Sequence, residues 1–166
     1  MSRYERAAIA AVALMVVAAA AIFFYAPTDY LQGSVQRIFY LHVSSAIAAY
    51  GCFACVLLGG ALYLRNENLA ADRLARAGAV AGLVFTTVTL VMGMLWAKPI
   101  WGTYWAWWDV RLVSTLFLWF IYVAYIVLRG AVESPELRAR YSAVLGILGA
   151  LLIPFIHLSV YLFTTM

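Results

Sequence analysis

Apolar residues fall in five long runs, at 7–26, 38–64, 77–97, 112–128 and 141–166, and the charged residues gather between them. A membrane-crossing helix needs roughly 20 predominantly apolar residues. Each run meets or approaches that length, so the pattern predicts an all-α integral membrane protein with a bundle of about five transmembrane helices. None of the runs alternates with a period of two, which leaves a β-barrel without support. Arg3 and Arg6 ahead of the first run resemble a secretory signal. The run is longer than a signal core and ends in Phe23-Phe24-Tyr25-Ala26-Pro27 without a small-residue cleavage site, so it reads as a retained anchor. Short connections predict antiparallel neighbours, and the absence of repeats or linkers predicts one transmembrane domain over 1–166.

Composition agrees with that pattern. The 166 residues are 67% hydrophobic and 11% charged, against about 25% charged in ordinary soluble domains. A soluble enzyme of this size has no core large enough to hide so much apolar surface. The net charge of +4 comes from eleven scattered Lys and Arg, so no basic face for nucleic acid exists. Eight of these, Arg3, Arg6, Arg65, Arg73, Arg76, Arg129, Arg138 and Arg140, fall on one side of the predicted topology, and Arg37, Lys98 and Arg111 fall on the other. The positive-inside rule then predicts a cytoplasmic N-terminus and segment 98–111 on the outer face of the membrane.

Two sets of small residues, Gly51-Cys55-Gly59 and Gly78-Gly82, predict close helix packing in lipid. Cys52 and Cys55 form a C-x-x-C inside an apolar run, where small buried thiols serve packing rather than redox chemistry.

Aromatics make up 16% of the chain, and five of six tryptophans lie between Trp96 and Trp108. An interfacial belt distributes its aromatics over many helix ends; here Trp96, Trp101, Tyr104, Trp105, Trp107 and Trp108 crowd the connection between the third and fourth spans. Lys98-Pro99 is expected to end the third helix, and Gly102 permits a turn. An interfacial helix over this segment would stack Trp101, Trp105 and Trp108 on one face. Asp109 suits a helix N-cap. Arg111 can either reach the headgroups or offer a bidentate fork to a carboxylate. A flat apolar ligand with carboxylates and an iron that takes imidazole fits such a platform, which is a description of haem. The two histidines, His42 and His157, both fall in the half of their spans nearest this connection.

The run W-G-T-Y-W-A-W-W-D-V-R-L-V-S-T-L resembles the tryptophan-rich signature of the haem-handling proteins of cytochrome c maturation. Its D-x-R-L-x-S continuation, and Q-R-I-F-Y-L-H-V-S-S-A around His42, are similar to the CcmC-type haem exporter protein C branch. The resemblance covers about 33–160. It implies a cell inner-membrane protein, not itself an enzyme, that presents haem b at the outer, periplasmic face and passes it to a membrane-tethered haem chaperone of the CcmE type. ABC transporter subunits and a small membrane subunit would assist release. It also implies that His42 ligates the iron and that Trp101, Gly102, Trp105, Trp107, Trp108, Asp109 and Arg111 form the signature, with Tyr104 between them. Arg37 and Arg111 are candidate propionate partners. The family usually has six spans and a second haem histidine beyond the fifth, whereas this sequence ends at Thr164-Thr165-Met166 and His157 lies earlier. A His42/His157 pair and a single-His site completed by the chaperone or a small ligand both stay open. The competing readings are a permease-like or channel subunit with an aromatic anchor, and a haem–thioether synthetase, for which no acid–base constellation is present.

Overall fold

A computed structural model describes residues 1–163, and the side chains of Val160 and Phe163 are not described. The described residues form five helices: α1 (Arg3–Ala20), continued by one π-helical turn (Ala21–Tyr25), α2 (Gln36–Asn66), α3 (Leu69–Trp101), α4 (Val110–Ala131) and α5 (Pro135–Phe163). Every one is long and apolar enough to cross a membrane, so the chain is a multi-pass helical membrane protein. The expected fifth span reached Met166; Thr164, Thr165 and Met166 lie outside the described residues.

Local chemistry sets the helix ends. Ser2 and Glu5 form a reciprocal capping box at the start of α1. Glu67 ends α2 in the left-handed region, and the Asn68 side chain immediately caps α3 by accepting from Ala70 N–H at 2.8 Å. That tight connection folds α2 and α3 into a hairpin. Asp109 caps α4, accepting from the Arg111 and Leu112 backbone N–H groups at 2.9 and 3.2 Å. Pro135 opens α5, where a missing N–H costs no helix bond.

The third helix runs further than Lys98-Pro99 led us to expect. Pro99 sits within its last turn, and the helix stops at Gly102, whose φ of 74° provides the left-handed cap. Proline removes one helix bond here without ending the helix. Gly102 N–H bonds to the Lys98 carbonyl at 3.0 Å and the Lys98 ammonium donates to the Gly102 carbonyl at 3.0 Å, closing the turn from both ends.

Helices α2, α3, α4 and α5 pack in a ring in that order, with α2 against both α3 and α5. The α2/α3 seam is the closest. A Cβ on Gly59 would stand 2.7 Å from the Ala71 carbonyl oxygen, and one on Gly78 would stand 2.6 Å from that of Cys52. Gly82 faces the Phe53 ring, while a Cβ on Gly51 would meet no atom of another element within 4 Å among the described residues. The predicted ridges therefore hold at Gly59, Gly78 and Gly82 but not at Gly51. Phe53, Val56, Leu118, Tyr122 and Tyr125 fill the centre, with the Tyr122 ring stacked 4.0 Å from Phe53 and its hydroxyl donating to the Gly146 carbonyl. At the end away from the tryptophans, Arg129 of α4 grips Asp72 of α3 through two bonds of 2.6 and 2.9 Å. Helix α1 stands apart. It buries none of its residues, and only the π-helical turn touches α2.

Candidate functional site

At the tryptophan end the four ringed helices diverge around a cavity of about 480 Å³, within the usual range for small-molecule pockets. Its walls are mostly apolar, from Ala46, Ala49, Leu90, Ala97, Ile100 and Leu112, and Leu118 and Ile156 close it toward the bundle centre. Into these walls are set two imidazoles, His42 and His157, and one ion pair, Asp109–Arg111.

His42 lies near the start of α2 and is partly buried against α3. Its Nδ1 is 2.9 Å from the Thr89 carbonyl oxygen. A carbonyl can only accept, so the neutral ring must carry its proton on Nδ1 and leave the lone pair on Nε2. Directly behind it, Ser45 and Thr89 hydroxyls meet at 2.9 Å across the same helix pair, and the Ser45 hydroxyl donates to the His42 carbonyl. Trp96 flanks the ring at 6.2 Å and is itself fixed by an indole N–H bond of 3.0 Å to the Gln32 side chain. Gln32 is placed by the turn that precedes α2. There the Asp29 carboxylate accepts from the Leu31 and Gln32 N–H groups, both at 2.8 Å, and Gly33 turns the chain at φ 59°. His157 enters the cavity from α5, its ring edge-on to Tyr50 of α2 at 5.0 Å.

At the rim the Arg111 guanidinium binds Asp109 through Nε at 3.1 Å and Nη2 at 2.5 Å. Burial pushes the Asp109 carboxyl up, but the bonds from the Arg111 side chain and from the Leu112 and Arg111 N–H groups outweigh it and hold the carboxyl below its usual range. One carboxylate thus caps α4 and aims the arginine.

A model of the CcmC, heme exporter protein C, family matches residues 2–166. The chain belongs to the heme exporter protein C family. It is 40% identical to heme exporter protein C of Escherichia coli K12 over 159 residues, which is 96% of this chain and 64% of that relative. It is 39% identical to the Bradyrhizobium diazoefficiens protein over 81% of this chain and 51% of the relative. Against the Haemophilus influenzae protein the identity is 34%, over 86% of this chain and 57% of the relative. The chain thus spans between half and two thirds of the length of these relatives.

The structure divides the residues singled out in the sequence. His42, His157, Trp101, Asp109 and Arg111 line one cavity. Arg37, Gly102, Tyr104, Trp105, Trp107 and Trp108 do not. The interfacial helix with Trp101, Trp105 and Trp108 on one face is not formed. Trp101 is the last residue of α3, and 102–109 is a turn in which Thr103 Oγ1 donates to the Trp105 carbonyl and accepts from its N–H. Such local side-chain bonding takes the place of the i→i+4 ladder. Ala106 turns inward and is fully buried, which throws Trp107 and Trp108 outward to 72% and 75% exposure. Tyr104 leaves the cavity too, its ring under the Lys98 ammonium at 5.1 Å. Trp105 packs edge-on to Trp107, and its indole N–H, like the Arg37 Nε, is buried without a partner among the described residues.

Sequence reasoning passed over Gln32, Tyr50, Thr89 and Gly93, all of which line the cavity. Of these only Gly93 carried a readable signal, as an isolated glycine inside a helical pattern.

Proposed function

We propose that this chain binds haem b in the α2–α5 cavity through His42 and presents it at the periplasmic face during cytochrome c maturation. The observation that carries this reading is the His42 ring, whose Nδ1–H is engaged by the Thr89 carbonyl so that an unprotonated Nε2 remains on a residue lining the cavity. A metal-ligating histidine is typically held in this way. The other residues suit the same cargo. The walls take an apolar macrocycle, and Arg111 offers its remaining donors to a propionate at the rim. Haem supplies the iron that takes an imidazole; the protein binds, orients and releases it. His157 stands in the same wall as a second ligand, and a chaperone or small molecule is the other source of one. Arg37 does not line the cavity, so Arg111 is the propionate partner proposed at its rim.

In this reading the outward Trp107 and Trp108 meet the haem edge that emerges from the cavity and act on hand-over to a membrane-tethered chaperone. The ABC transporter subunits and the small membrane subunit drive release. The channel alternative needs a polar route through the bundle, whereas Phe53, Val56, Leu118 and Tyr122 fill it beyond the cavity. Haem titration of the purified protein in nanodiscs tests the proposal. The expected result is one haem per chain with a histidine-type Soret band that is lost in His42→Ala at the haem concentration that saturates the wild type. Wild-type affinity and an unchanged Soret band in His42→Ala overturn it.

A further inference from the structure

Gly93 lies inside α3, four residues beyond Thr89, where glycine weakens a helix relative to alanine. At Gly59 and Gly78 a Cβ would strike the backbone of the facing helix, and at Gly82, Gly146 and Gly149 it would strike apolar core side chains such as the Phe53 ring, so these glycines have a packing reason. At Gly93 the surroundings differ. A Cβ there would meet only two atoms within 4 Å, His42 Cε1 at 3.0 Å and His42 Nδ1 at 3.2 Å. The missing methyl group is therefore space reserved for one imidazole edge. The ring sits in that notch with its Nδ1 2.9 Å from the Thr89 carbonyl oxygen one turn earlier on the same helix. The Ser45–Thr89 hydroxyl contact, also 2.9 Å, pins α2 to α3 at this level and keeps carbonyl and ring in register.

We infer that Gly93 and the Thr89 carbonyl form a seat on α3 that sets both the tautomer and the tilt of His42, making Gly93 a positioning residue for the haem-iron ligand. The inference rests on the proposed haem site and deepens it. A methyl group at 93 displaces the ring edge by a few tenths of an ångström and misaligns the Nδ1–H bond. A branched side chain expels the ring from the notch. Either change alters the angle at which Nε2 is offered and weakens the bond that raises its basicity. Loss of such an outer partner typically lowers metal affinity by about 10–100-fold.

The test compares wild type, Gly93→Ala, Gly93→Val and Gly51→Ala in nanodiscs, position 51 having no neighbour within 4 Å of a built Cβ. Two readouts are taken, ¹⁵N-histidine NMR of the haem-free protein and haem titration with the Soret spectrum. Wild type and Gly51→Ala should show the Nδ1-protonated His42 and the same haem affinity. Gly93→Ala should shift the His42 ¹⁵N signals and lower affinity about tenfold, and Gly93→Val should lose the Nδ1–H signature and about 100-fold in affinity. Added imidazole should restore the histidine-type spectrum in the Gly93 variants. If Gly93→Val does not fold, Gly93→Ala decides, since alanine favours the helix. Wild-type ¹⁵N signals and wild-type affinity in Gly93→Ala overturn the seat. A His42 tautomer that depends on residue 93, in a protein that binds no haem, supports the seat and overturns the haem reading instead.

Discussion

The cavity wall and the loop above it carry the same kinds of aromatic and charged residue, yet they are held in opposite ways. In the wall His42 of α2 is tied across the helix pair to the Thr89 carbonyl of α3 and Trp96 of α3 to Gln32 ahead of α2, while Asp109 holds Arg111 at the start of α4. In the loop the bonds are local, from Lys98 to Gly102 and from Thr103 to Trp105, and Trp107 and Trp108 stand free of the bundle. Groups held from two helices are preorganised, and preorganisation is what holding a ligand requires. Groups on a locally folded turn can follow a partner. In the proposed function the wall retains the ligand and the loop passes it on, although a tryptophan count alone ranks the loop first.

Substitutions separate the two regions most sharply at His42. His42→Ala should reduce haem affinity on the order of 100-fold or more, since losing a ligand exceeds losing its outer partner; equilibrium titration reads it. Next, Arg111→Ala should cost about tenfold in haem affinity, the scale of one charge-assisted bond, and little for a porphyrin esterified at both propionates. The double change Trp107→Ala, Trp108→Ala should leave haem affinity within about threefold, the usual range for exposed positions, while slowing transfer to the chaperone in a stopped-flow assay. A larger loss of affinity than from Arg111→Ala would erase the distinction between wall and loop. The smallest effect concerns pH. The Asp109 carboxyl is held below its ordinary value, so its contribution is complete above about pH 4 and is lost as pH falls further, through the lowered folded value. Thermal stability of the α4 end should not change between about pH 5 and 8 on account of this group. A transition in that window abolished by Asp109→Asn would contradict the placement of the pair.

The five helices were legible because length and apolarity decide membrane spans, and the Asp109 cap was legible from its place before V-R-L-V-S. His42 was legible by type and depth, and through its motif. Four features were not. The end of α3 depends on Gly102 adopting φ 74°, which overrides the nearer Pro99 signal. The tryptophan turn depends on Thr103 bonding to Trp105, a local choice that i, i+4, i+7 spacing does not reveal. Arg37 and Arg111 carry the same charge, and only packing places Arg111 at the cavity and Arg37 away from it. The tautomer of His42 is set by a carbonyl 47 positions along the chain, and no spacing rule reaches that far.

The most direct measurement is resonance Raman spectroscopy of the ferrous haem complex prepared with natural and ¹⁵N-labelled histidine, in wild type and in His42→Ala. The account predicts an iron–imidazole band in wild type that moves to lower frequency with ¹⁵N and is missing in His42→Ala. The same band, with the same isotope shift, in His42→Ala would contradict it and assign the iron to another histidine.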